Sequence, residues 1–169
     1  RIRDLPRHCE QAWQQAQSFD FSWVGEPFEQ VVIGGMGGSA IAGDLVVDLA
    51  SQQPGVPVTV VRGFDLPVAL NEHSLAVLCS YSGNTEETLS LFRQARQTGA
   101  RVLVVAGGGL LREEAVVQGL PILEIDAPGE PRRESPGRSR GSSVGVIWCA
   151  SRGVCAPTHA YSTNRTTPV

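Results

Sequence analysis

Two short segments of this chain concentrate glycine and hydroxyl side chains at spacings that suit an anion. The first is Gly34-Gly35-Met36-Gly37-Gly38-Ser39-Ala40-Ile41, and the second is Ser80-Tyr81-Ser82-Gly83-Asn84-Thr85-Glu86-Glu87-Thr88. In the first, four glycines let the backbone approach a ligand closely. Ser39 adds a hydroxyl, and a helix opening there would offer unpaired amides and partial positive charge. In the second, the hydroxyls of Ser80, Ser82 and Thr85 alternate around a glycine turn and can converge with backbone amides on one tetrahedral oxyanion. Each loop admits plainer readings. The glycines could serve a tight turn, or form a dinucleotide fingerprint, since Gly35-Met36-Gly37-Gly38-Ser39-Ala40 fits G-x-G-x-x-G/A. Against that last reading, Asp65 falls three residues past the next strand and not at its tip. Thr85-Glu86-Glu87-Thr88 could be a helix capping box, which leaves Ser80 and Ser82 unexplained.

The remaining composition narrows the chemistry. The 169 residues contain 14 basic side chains, all arginine, which excludes a Schiff base and the P-loop lysine. His8, His73 and His159 show no metal-binding spacing, and Cys9, Cys79, Cys149 and Cys155 form no C-x-x-C pair. Cys79 falls within an apolar run, as a buried free thiol does, so a reducing cytoplasm is expected. The formal charge of -3 is unevenly spread, because Glu134 is the single acid beyond residue 130 while six arginines lie there. An acidic body of this kind argues against a nucleic-acid surface. The most apolar stretch, Val102 to Leu111, is half the roughly twenty residues that a membrane helix needs. Arg1-Ile2-Arg3-Asp4 shows neither an initiator methionine nor a signal-peptide core, so a fragment of a longer protein is expected.

The elements that must position these loops follow from hydrophobic periodicity. Helices are predicted at Leu5 to Ser18, Ser39 to Ala50, Asn84 to Thr98 and Leu110 to Gln118. Strands are predicted at Gln30 to Gly34, Val56 to Arg62, Leu75 to Ser80, Arg101 to Ala106 and Ile122 to Ile125. Three of the strands are near-continuous apolar runs, which means burial on both faces. The expectation is an α/β, doubly wound, five-stranded parallel sheet of flavodoxin-like type, in which ligands bind beyond the carboxyl ends of the strands. Both loops follow a strand there. The predicted organisation is a helix and linker over 1–29, one domain over 30–130, and an atypical basic tail over 131–169 that contains no leucine.

The pairing of Gly-Met-Gly-Gly-Ser-Ala-Ile-Ala-Gly-Asp at 35–44 with Ser-Tyr-Ser-Gly-Asn-Thr-Glu-Glu-Thr-Leu at 80–89 closely resembles the sugar isomerase (SIS) domain. Within that group it is most similar to the bifunctional phosphoglucose/phosphomannose isomerases of bacteria and archaea. The resemblance runs from about Leu5 to Arg132 and takes in Pro57 to Arg62 and Asp65-Leu66-Pro67. It implies that Gly38, Ser39, Ser80, Ser82 and Thr85 hold the phosphate of a sugar phosphate, and that the family's Pro-Arg motif falls on Pro131-Arg132. It further implies interconversion of glucose 6-phosphate or mannose 6-phosphate with fructose 6-phosphate. In that reaction a base moves a proton between C1 and C2, and Arg132 stabilises the cis-enediolate. It implies no metal or redox cofactor, and a homodimer in full-length members.

Two departures qualify the match. Val105-Ala106-Gly107-Gly108-Gly109 stands where the family has Thr-Ser before its glycines, and the family pattern stops after Arg132. A truncated or frame-shifted product, able to bind and unable to turn over, is therefore expected. The competing classes are a regulatory sugar-phosphate-binding module without catalysis, and a nucleotide or flavin binder on the same fold.

Overall fold

The structure, a computed structural model, describes residues 5–125 apart from 26, 53 and 68. Helix α1 spans Leu5–Gln17 and is followed by a single 3₁₀ turn, Ser22–Val24, that the periodicity does not reveal. Then come strand β1 (Gln30–Gly35), helix α2 (Gly37–Ser51), strands β2 (Val58–Val61) and β3 (Ser74–Ser80), and helix α3 (Glu86–Gln97). Strand β4 (Arg101–Ala106), helix α4 (Gly109–Val117) and strand β5 (Ile122–Glu124) complete the described chain. All five strands are parallel, in the order β2-β1-β3-β4-β5. The predicted fold class is therefore the observed one. The expected 131–169 tail and Arg132 lie outside the described residues.

The strand sequences explain the layering. Side chains alternate across a sheet, so odd and even positions face opposite sides. Val31, Ile33, Leu75, Val77, Cys79, Leu103 and Val105 pack on one side, beneath Val46 of α2 and Ala16 of α1. Val32, Ala76, Leu78, Val102, Val104 and Ala106 pack on the other, beneath Leu91, Phe92 and Ala95 of α3 and Leu111 and Ala115 of α4. The unbroken apolar runs inside β3 (Leu75 to Cys79) and β4 (Val102 to Ala106) follow from this double covering. The segment after α1 is fastened by Arg101, whose Nη1 donates to the Val24 carbonyl and whose guanidinium lies 4.6 Å from the Phe28 ring centroid. Among the described residues no helix is long and apolar enough to cross a membrane.

Candidate functional site

The glycine loop leaves β1 and the hydroxyl loop leaves β3, and these two strands are neighbours with Gly35 opposite Cys79. The chain moves from β1 outward to β2 on one side, and from β3 through β4 to β5 on the other. This reversal opens a crevice beyond the carboxyl ends of β1 and β3, the place where doubly wound sheets take their ligands. With adjacent strands about 4.8 Å apart, both loops border the same opening.

The glycines of the first loop divide into two kinds. Gly34 and Gly35 belong to the packing, because a Cβ on Gly34 would stand 2.8 Å from Leu78 Cδ1 and from Leu91 Cδ1, and one on Gly35 3.0 Å from the Cys79 carbonyl oxygen. Gly37 and Gly38 have nothing within 4 Å of such a position. The expectation that all four glycines admit a ligand is thus corrected to two. Helix α2 begins at Gly37, two residues earlier than predicted, so Gly37, Gly38 and Ser39 form its first turn. Met36 precedes it in extended conformation and provides no side-chain cap. The first amides of a helix lack intrahelical acceptors. Gly37 and Gly38 are also exposed, which leaves their backbone open to a ligand. Ser39 is half-buried and folds over Gly35, with its Cβ 3.3 Å from where a Gly35 Cβ would be.

The second loop is organised around Ser80, which is 2% exposed at the end of β3. The Gly83 amide donates to Ser80 Oγ at 3.0 Å, and Ser80 Oγ and Thr85 Oγ1 share a hydrogen bond of 3.0 Å. Thr85 is the residue before α3, yet its hydroxyl caps no amide of that helix, so the capping-box reading does not hold. Its commitment to Ser80 leaves the first-turn amides of α3 without a side-chain cap. Thr88, the other end of the supposed box, is buried with its hydroxyl unpartnered. Ser82 is exposed and accepts from the Asn84 amide at 3.3 Å. The expected convergence of three hydroxyls is therefore a bonded pair, buried Ser80 with half-buried Thr85, and an outlying Ser82.

A second wall, absent from the sequence reading, sets the shape of this loop. The β4–α4 turn donates from the Gly107 amide to the Tyr81 carbonyl (3.2 Å), from Leu110 to Asn84 Oδ1 (3.0 Å) and from Leu111 to the Gly83 carbonyl (2.9 Å). A Cβ on Gly83, whose φ is +69°, would lie 1.7 Å from the Gly108 oxygen, and one on Gly109 2.4 Å from the Ser82 oxygen. Gly107-Gly108-Gly109, which read as the loss of a polar group, is thus the buttress that fits against the hydroxyl loop. The available signal was the Gly-Gly-Gly run together with Asn84.

Electrostatically the site depends on dipoles and hydroxyls. No arginine occurs in either loop, and the first turn of α3 carries Glu86 and Glu87. Arg62, at the end of β2, is paired with Asp44 of α2. Burial pushes the Cys79 thiol, beneath the crevice, up to about 12, which makes it inert. His73 precedes β3 at the opposite end of this central strand, 3.7 Å from Glu72. Among the described residues no three metal-ligating side chains gather.

No family model matches the chain. It is 34% identical over 131 residues to the bifunctional phosphoglucose/phosphomannose isomerase of Caldicellulosiruptor bescii, a match covering 78% of this chain and 39% of that protein. It is 33% identical over 98 residues to the D-glucosamine-6-phosphate 4-epimerase of Sulfolobus acidocaldarius, covering 57% of this chain and 30% of that one. In fold it matches the crystal structure of tagatose-6-phosphate ketose/aldose isomerase from Escherichia coli. The TM-score is 0.61 at 21% identity, over 88% of this chain and 44% of the other. The chain spans about two fifths of the length of the first of these curated relatives.

Proposed function

From its homology with the bifunctional phosphoglucose/phosphomannose isomerases, we propose that this chain holds the phosphate end of a hexose 6-phosphate for aldose-ketose isomerisation. The substrates are glucose 6-phosphate or mannose 6-phosphate, with fructose 6-phosphate as product, and the compartment is the cytoplasm. One observation carries this reading: the Ser80–Thr85 hydroxyl pair and the open amides of Gly37 and Gly38 stand on neighbouring strands at the sheet's reversal point. Ser80 accepts the Gly83 amide, so its own proton can go to Thr85, and the Thr85 proton is then available to a phosphate oxygen. Ser39, Ser82 and the Gly38 amide supply further donors, and Ser80 acts mainly by orienting Thr85. Arg132, outside the described residues, is the group we assign to the enediolate, where charge develops as the proton moves from C2 to C1.

A second reading, sugar-phosphate binding without turnover, is favoured by the makeup of the two loops, which offer hydroxyls and amides suited to holding a phosphate. Calorimetric titration with fructose 6-phosphate, fructose, FMN and NAD tests the binding step. The expected outcome is selective binding of the sugar phosphate. Hydrogen bonds to charged groups contribute roughly 1.5 to 3 kcal/mol, so Ser82→Ala or Thr85→Ala should weaken it about ten- to hundredfold. Ser80→Ala should weaken it too and also lower the melting temperature, because it removes a buried hydroxyl bonded to Thr85 and to the Gly83 amide, leaving that amide only the Ser80 carbonyl. Equal affinity for fructose, or an unchanged affinity in the Ser82→Ala, Thr85→Ala double variant, would contradict the proposal. A coupled isomerase assay distinguishes turnover from binding alone.

A further inference from the structure

Helices α2 and α3 bring the open amides and the hydroxyl loop to the crevice from opposite sides of the sheet. Helix α2 is lightly held there. Its buried residues are Ala40, Gly43 and Val46, and the edge strand β2 beneath it is half-buried along most of its length. The segment that leaves β2 reaches both helices. Arg62 continues the alternation of Val58 and Val60 toward α2, where it pairs with Asp44. Two residues on, the Phe64 carbonyl accepts from Ser90 Oγ of α3 at 2.8 Å and from Gln94 Nε2. Gln94 Oε1 accepts from the Leu66 amide at 3.2 Å, and Gln94 Nε2 also donates to Ser90 Oγ at 3.0 Å.

Apolar packing does not account for the course of this segment. Phe64 is exposed by 51%, Asp65 is exposed, and a Cβ on Gly63 would meet nothing within 4 Å, so that among residues 63–66 Leu66 alone packs against the core. Polar groups fasten the rest. Gln94 donates to one backbone group and accepts from another two residues along, which an amide side chain can do and a carboxylate or an ammonium cannot. The Phe64 carbonyl is filled by two donors, and a satisfied network of this kind holds its geometry. We propose that Arg62 and Gln94 are positioning residues for the crevice. Through residues 62–66 they tie α2 to α3 at the spacing that lets the Gly37 and Gly38 amides and the Thr85 hydroxyl meet one phosphate.

Backbone amide resonances and fructose 6-phosphate titrations of the full chain and its variants test this. Gln94→Met, close in size but without the amide, should shift the resonances of Gly37, Gly38 and Ser39 on the far side of the sheet. It should also weaken binding about three- to tenfold, a usual size for mutational effects on coupling between sites. Asp44→Ala gives a sharper sign. Losing a negative charge favours an anion on electrostatic grounds, whereas losing the tie between the helices weakens binding, and weakening is expected. Asp44→Glu keeps a carboxylate for Arg62 and should bind like wild type. Arg96→Gln, at an exposed position of α3 that bonds to Gln118, should leave Gly37 to Ser39 and the affinity unchanged. Circular dichroism melts establish folding, and Ser90→Ala repeats the test if Gln94→Met does not fold. Resonance changes confined to residues 62–66 and α3, or binding by Asp44→Ala as tight as wild type or tighter, would overturn the proposal. The binding arm rests on the sugar-phosphate reading. A wild-type chain that binds no fructose 6-phosphate defeats that reading, while the resonances of Gly37 to Ser39 still decide this one.

Discussion

Gly34 and Gly38 are the same residue four positions apart, and their surroundings give them opposite duties. Gly34 makes room for Leu78 and Leu91, whereas the space above Gly38 is open. Gly34→Ala should therefore destabilise the fold by roughly 1–3 kcal/mol through overpacking. Gly38→Ala should leave the melting temperature level or raise it, since alanine suits a helix better, and yet weaken sugar-phosphate binding by crowding the approach to the backbone. Melting curves and titrations of the two variants check this crossed pattern, and a parallel loss in both would show that the glycines share one role. Cys79 gives a pH prediction of definite sign. Burial raises its folded value to about 12, against 9.0 for a free thiol. Above pH 9 the unfolded chain releases a proton that the folded chain keeps, so this contribution is complete below pH 9 and declines as pH rises toward 12. Melting temperature should fall with pH across that window, and less steeply in Cys79→Ala.

At the scale of elements, the inner strands β1, β3 and β4 were readable because they are buried on both faces, as continuous apolar runs such as Val31-Val32-Ile33 require, whereas edge strand β2 is half-buried along most of its length. Helix starts were less legible. Glycine's low helix propensity hides the fact that α2 begins at Gly37, and Thr85-Glu86-Glu87-Thr88 spells a capping box although the Thr85 hydroxyl turns to Ser80. Both failures occur at the crevice, where local preference gives way to the placement of donors. The interlock of Gly83 with the β4–α4 turn was hidden for a different reason, since it joins segments 25 or so residues apart and leaves no periodicity. The first turn of α3 carries a testable compromise. Glu86 and Glu87 complement the helix dipole but oppose an incoming phosphate. Effects of about 0.3–1 kcal/mol are usual for such charges, so Glu86→Gln should tighten phosphate-sugar binding about two- to fivefold at low salt, and less at high salt. Titrations at two ionic strengths measure it, and weaker binding in the variant would place the anion elsewhere.

For the whole molecule, one sheet supports two features: a crevice at the reversal point between β1 and β3, and a polar segment after β2 that reaches the helices on both sides of the sheet. Relatives that share this region are named for different reactions, one a phosphoglucose/phosphomannose isomerase and the other a D-glucosamine-6-phosphate 4-epimerase. A phosphate hold that serves either reaction accords with loops made of hydroxyls and amides. The most direct test of that hold is to follow backbone amide resonances during titration with fructose 6-phosphate. Saturable shifts should centre on Gly37, Gly38, Ser39 and residues 82–88, with lesser ones at Gly107 to Leu111 through the interlocking turn, and α1 and the amino ends of the strands should stay still. Shifts centred on those amino ends, or none at saturating ligand in a folded chain, would contradict a sugar-phosphate site at the crevice.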